Sequence, residues 1–376
     1  MHFLQVTERF KILIRLCIII VSLSSSILKA QVLSDTASLN MIMKCVACIY
    51  NFEFDRAIEI SNQVSLKYSR QPVEYMIRGM ITYWQNYPLT PSAPAHVSFE
   101  NDLRNCISLS DEVPNPVDEA EYLLTGLCAR GLLLMYYTDN GLSGEAIRLT
   151  KETYRNIRRA FDYTEVYPDF FFFTGLYNYH REAYFEVHPL FRALAFLFPK
   201  GNKSLGIKEL QIAASNAIIL KAESLYELIW INGGFENNIN HAFGYSKSLH
   251  EQYPANLNYL GEYIKYLLLT KEYDKAETLL GHSVLNITNQ YYLAQQTIFN
   301  GILQEKKYHN YTLAQQYYNK GISELTIFGE FGNEFTAYAY YGLSRISERN
   351  SDKPDMRTYR NKANDLAPFK KINFDD

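Results

Sequence analysis

The stretch ESLYELIWINGGFENNINHAFGYSKSLHEQYPAN, residues 223–256, runs directly into LNYLGEYIKYLLLTKEYDKAETLLGHSVLNITNQ, residues 257–290. Both are 34 residues long, and Ala242 of the first falls where Ala276 falls in the second. Tyr226, Ile229 and Trp230 mark one helical face of the first stretch, and Leu260, Ile264 and Leu267 mark one in the second. Tyr253-Pro254 closes the first unit, and Lys271 to Ala276 opens the second helix of the next. Each alanine sits where two antiparallel helices approach closely, and a side chain larger than methyl would push them apart. The reading is an all-α chain of antiparallel helix pairs.

Outward from this core the same plan recurs with a looser period. Phe52 to Ala57 opens a second helix as Lys271 to Ala276 does, so the first unit begins near Ser38. Gly79, Gly126, Gly175, Gly301 and Gly342 lie inside apolar helical patterns. Glycine in a helix interior costs about 1 kcal/mol, so its recurrence predicts close helix approach. Gly79 to Gly126 spans 47 residues and Gly126 to Gly175 spans 49, which predicts longer helices or loops in this half. Turns are marked by Tyr87-Pro88, by Pro114-Asn115-Pro116 and by Asp139-Asn140-Gly141. Between residues 185 and 206, Pro189 is expected to start an extra short helix, Leu190 to Phe198, which Pro199 and Gly201 stop. Later units are centred on Gly301 with Ala314 and on Gly342 with Ala363.

The 34-residue period, the helix-turn-helix plan and the small residue at a fixed position resemble the tetratricopeptide repeat (TPR) family. The resemblance covers most of residues 38–368, is specific over residues 223–290 and is loose in the N-terminal half. It implies a right-handed superhelical solenoid of antiparallel helix pairs over residues 31–376, with the first helices lining a concave groove for a partner polypeptide. An array of this kind grows along one axis without a larger core, so the chain after its leader reads as one continuous unit.

Arg9, Lys11 and Arg15 precede the apolar run from Leu16 to Leu23, and Lys29-Ala30-Gln31 follows a serine-rich stretch. Residues 1–30 therefore read as a secretory signal peptide cut after Ala30. The apolar run is too short to span a bilayer, so no permanent membrane anchor is expected. Residues 31–376 carry 33 Lys and Arg against 39 Asp and Glu, a formal charge of about −6, which argues against nucleic acid as a partner. Of the remaining cysteines, Cys45 and Cys48 fall at core positions of a first helix, so packing is expected of them, not redox chemistry or zinc.

With 31 tyrosines and 22 phenylalanines, aromatic residues exceed what aliphatic helix packing requires. The densest run, Phe170 to Phe173, must face neighbouring helices on several sides or a ligand. The register points Phe172, Tyr179 and His180 of this unit into the groove, together with Glu227, Asn258 and Lys265 of the regular units. These six form the expected binding site, and neither Tyr179 nor Lys265 is expected to fill the inter-helix core. Asn258 and Lys265 alone do not make the Lys, Asn and Arg set with which TPR proteins clamp a terminal carboxylate.

Catalytic and cofactor motifs find no support. His180, Glu182, Glu186 and His188 have metal-ligand chemistry, but no His-Glu-x-x-His is present. Gly201-Asn202-Lys203-Ser204 lacks the glycines of a phosphate loop, and no Gly-x-Ser-x-Gly occurs. The expectation is an exported, non-catalytic scaffold that binds a protein or peptide, with no metal and no cofactor. Two rival readings are a glycan-binding or nutrient-capture protein that uses the Tyr/Phe-rich face, and an enzyme accessory or hydrolase at the cell envelope. In the groove, clustered exposed tyrosines with paired carboxylates would favour sugar, whereas mixed polar residues with scattered apolar pockets would favour a peptide.

Overall fold

The computed structural model describes residues 32–113, 115–187, 198–283 and 288–375. The leader, Pro189 and the short helix expected from Leu190 lie outside them. Helix is the only regular structure among the described residues. The α-helices follow in pairs: α1 (Thr36–Tyr50) and α2 (Phe54–Lys67); α3 (Pro72–Gln85) and α4 (Ala95–Asp111); α5 (Glu119–Asp139) and α6 (Ser143–Ala160); α7 (Phe170–Val187) and α8 (Lys203–Asn216). The second half continues with α9 (Lys221–Trp230) and α10 (Ile239–Gln252); α11 (Leu257–Leu269) and α12 (Tyr273–Ser283); α13 (Gln290–Lys306) and α14 (Tyr311–Leu325); α15 (Asn333–Arg349) and α16 (Lys353–Leu366). Each helix packs on its chain neighbours. None among the described residues is long and apolar enough to cross a membrane.

Local chemistry sets the ends of these helices. Asn256 caps α11 by accepting from the backbone N–H groups of Asn258 and Tyr259, and Asn238, Asn289 and Asn310 cap α10, α13 and α14. Asn202 does the same for α8, which accounts for the Gly201-Asn202-Lys203-Ser204 phrase as a helix start. Several of the turns within pairs place a residue in the left-handed conformation. Phe52 and Lys271, equivalent in the sequence, both take the left-handed conformation, at φ 58° and 62°, as do Gly141, His309 and Ser351 in the corresponding turns. After Phe52 and Lys271 the next backbone N–H reaches five residues back, from Glu53 to Cys48 at 2.9 Å and from Glu272 to Leu267 at 2.8 Å, satisfying a helix-end carbonyl.

Close approach within pairs explains the small residues. Ala57, Ala242, Ala276, Ala314 and Ala363 are all fully buried. Backbone meets backbone where α7 packs on α8, and a Cβ on Gly206 would lie 2.6 Å from the Tyr179 backbone nitrogen and 2.7 Å from the Gly175 carbonyl oxygen. Only hydrogen fits between those two backbones. Cys45 and Cys48 are buried, and the Cys45 thiol donates to the Ala57 carbonyl at 3.4 Å, tying α1 to α2 as a packing role requires. Burial pushes the Cys45 thiol up to about 12, so it stays protonated.

The array turns back on itself. Asn256 donates to the Tyr50 carbonyl and Asn289 to the Tyr87 carbonyl, both at 2.8 Å, while the Ala255 N–H reaches Asn51 Oδ1 at 3.1 Å. Rings reinforce these bonds, with Tyr50 against Tyr253 and Tyr259, and Tyr87 against Tyr291, Tyr292 and Phe331. The first two pairs are thereby held against the second half of the chain.

Candidate functional site

First helices of the pairs face inward, and the second through eighth all contribute to one cavity of about 510 Å³. Among the described residues, Leu366 at the end of α16 is the one second-helix residue that lines it. Tyr83, Tyr259, Tyr291 and Gln295 are buried at its floor, whereas Thr138, Glu330 and Pro368 are exposed at its mouth. Both tryptophans of the chain, Trp84 of α3 and Trp230 of α9, line it.

The wall is aromatic, and its charge is acidic. Asp139, Glu223, Glu227, Glu262, Glu330 and Glu334 all line the cavity. Lys265 neutralises two of them, its Nζ lying 2.7 Å from Glu262 and 3.1 Å from Glu334. Burial alone would lower the Lys265 pKa, but these two carboxylates outweigh it and hold the amine protonated. Glu227 faces His180, with Oε1 and Nε2 2.6 Å apart. Asp139, Glu223 and Glu330 form no ion pair among the described residues. Burial pushes Glu223 up to about 7, with Glu227 adding to the rise and a 3.1 Å hydrogen bond from Tyr50 opposing it. Burial likewise pushes Asp139 up to about 6, opposed by a bond from Tyr83 at 3.4 Å and aided by Glu330.

Of the six residues expected at the site, Phe172, Glu227 and Asn258 line this cavity. The phenylalanine run divides as helical geometry dictates: Phe170 and Phe173 are buried in the core, and Phe172 is half-buried at the cavity wall. His180 joins through its contact with Glu227. Tyr179 and Lys265 require correction, because both are buried in the inter-helix packing. Tyr179 is fully buried against His180 and Phe235 and donates to Glu236 at 2.6 Å. Lys265 is 3% exposed and is engaged by Glu262 and Glu334, which removes it as an anion ligand. Sequence reasoning did not single out Asp139, Glu223, Glu330 or the two tryptophans. Glu223 opens the most regular unit, so its place on a first helix was within reach. Asp139 ends α5 and Glu330 lies in the kinked 3-10 stretch Thr326–Gly332 before α15, where the repeat register does not apply.

Among the candidate metal ligands, Glu182 is held by Arg181 at 2.9 Å and accepts from the Gly201 N–H at 2.9 Å, so it fastens the start of α8 to α7. The side chain of Glu186 and all of His188 lie outside the described residues.

No protein-family model matches this chain, and no curated protein matches it either.

Proposed function

We propose that the chain is an exported, non-catalytic binding protein built as a TPR-like right-handed superhelical array, which receives part of a partner polypeptide in its inner cavity. The carrying observation is the convergence of seven successive first helices on one space. Helix pairs need only bury one face against their neighbours, and nothing in that requirement leads buried polar groups such as Asn258 and Gln295 to gather around a cavity. A cavity with aromatic walls and a few convergent polar groups is the form that binding sites take. Its size suits a short segment or a protruding side chain, not a whole helix.

Because Trp84 and Trp230 both line the space, intrinsic fluorescence reads its occupancy directly. A library of short peptides titrated against the mature protein should contain members that shift tryptophan emission and saturate. Thr138→Trp at the exposed mouth should block that response while leaving the circular dichroism melt unchanged. If peptides bind equally well to the blocked variant, the cavity is not the site.

The pairing of carboxylates with aromatic rings also supports a second reading, in which sugar hydroxyls donate to Asp139 and Glu223 while a ring face stacks on Trp84 or Tyr87. Oligosaccharides in the same titration test it. Saturable binding of a neutral oligosaccharide without any peptide response would favour this reading over the polypeptide one.

A further inference from the structure

The cavity gathers more carboxyl groups than the protein pairs with cations among the described residues. Glu262 and Glu334 share Lys265, and Glu227 faces His180, which leaves Asp139, Glu223 and Glu330 without a cation. These three come from α5, α9 and the turn before α15, so no single helix explains their meeting. Glu330 stands close to the Asp139 turn, since a Cβ on Gly141 would lie 3.0 Å from Glu330 Oε1. Like charges gathered in a partly buried space repel, and aromatic walls lower the local dielectric and enlarge the effect.

The walls point the same way as the charges. Trp84, Tyr87, Phe172, Tyr226, Trp230 and Phe331 present rings to the same space. The face of an aromatic ring attracts a cation, most strongly for tryptophan. A third observation is independent of both. The Tyr259 hydroxyl, on a residue 1% exposed at the cavity floor, has no hydrogen-bond partner among the described residues. A buried hydroxyl without a partner is unfavourable, and a ligand carbonyl reaching the floor would accept its proton.

We infer that the cavity takes a basic side chain, lysine or arginine, of the partner polypeptide, its cation set between Asp139, Glu223 and Glu330 and its stem against the aromatic wall. This rests on the polypeptide reading above and names the chemistry of the group recognised. An acidic or neutral segment would leave the three carboxylates uncompensated, which makes the selection one of charge.

The test uses the mature protein and four probes: N-acetylated, C-amidated tetralysine, tetraarginine, tetraglutamine and tetraglutamate, followed by calorimetry and tryptophan fluorescence. One or both basic probes should bind at least about tenfold more tightly than tetraglutamine, and tetraglutamate should not bind. Asp139→Asn and Glu330→Gln should each weaken the basic probe about threefold or more, and the double variant about tenfold. Since these substitutions remove repulsion, both variants should melt no lower than the parent, so a loss of binding is not a loss of fold. Tetraglutamine binding as tightly as the basic probes, or unchanged affinity in the double variant, would overturn the inference while leaving the polypeptide reading in place. A response to neutral oligosaccharide with none to any peptide would overturn both.

Discussion

A single methyl group decides much of the packing. Ala242 and Ala276 are fully buried between paired helices, so Ala242→Trp or Ala276→Trp should destabilise the protein by about 2 kcal/mol or more through overpacking. Urea midpoints measure this directly. Lys265 supplies a stronger case at the same scale, because among the described residues its ammonium is the one cation paired with Glu262 and Glu334. Removing one partner of a buried ion pair leaves uncompensated charge, and Lys265→Met should lower stability by about 3 kcal/mol at neutral pH. On acidification the loss should shrink as Glu262, whose carboxyl burial pushes up, takes up a proton.

The buried carboxylate Glu223 has a pH signature of its own. Its pKa is about 7 in the folded protein against an ordinary 4.5, so the unfolded chain ionises first as pH rises. The stability that goes with its protonated form is therefore complete below about pH 4.5 and lost as pH climbs through 7. The groups facing it among the described residues are Tyr50 from α1, Tyr83 from α3, Cys128 from α5, Tyr259 from α11, Tyr253 beyond α10 and Glu227 on its own helix; none of these is a cation. Relative to Glu223→Gln, the parent should lose up to about 3 kcal/mol between pH 4.5 and 7.5. Denaturation at several pH values checks it, and parallel curves for the two proteins would contradict it.

At the scale of the element, the repeated turn is the unit of construction. Phe52, Lys271, His309 and Ser351 hold the left-handed conformation that costs a non-glycine residue about 1 kcal/mol. Lys271→Gly should therefore stabilise the protein by up to about 1 kcal/mol, offset in part by the extra freedom glycine brings to the unfolded chain. A thermal melt raised by a degree or more is the expected result. The equivalence of Phe52 and Lys271 was legible in the sequence, because the phrases FEFDRA and KEYDKA share aromatic, acidic, basic and alanine positions. The glycines inside helices were legible too, since few causes other than close approach make glycine worth its penalty there. Site positions were less legible. Phe172, Glu227 and Asn258 could be assigned by register alone, but Tyr179 and Lys265 occupy helix faces that neighbouring pairs cover.

Across the whole molecule, the contacts between the first two pairs and the second half couple the ends of the chain. Asn256→Ala combined with Asn289→Ala removes the side-chain bonds to Tyr50 and Tyr87. Amide hydrogen exchange in α1 and α3 should then speed up by about tenfold or more, while α15 and α16 stay protected. Equal acceleration throughout would mean that the ends are not coupled through these bonds. What the sequence by itself determined was the helical class, the pairing and the residues that let paired helices touch, because these depend on contacts over a few tens of residues and leave a periodic trace. Only the tertiary structure decided that the array closes, and with it the cavity. Asp139, Glu223 and Glu330 are separated by 84 and 107 residues and share no motif, so their lining one cavity follows from how the pairs pack against one another across the molecule, which no local pattern encodes.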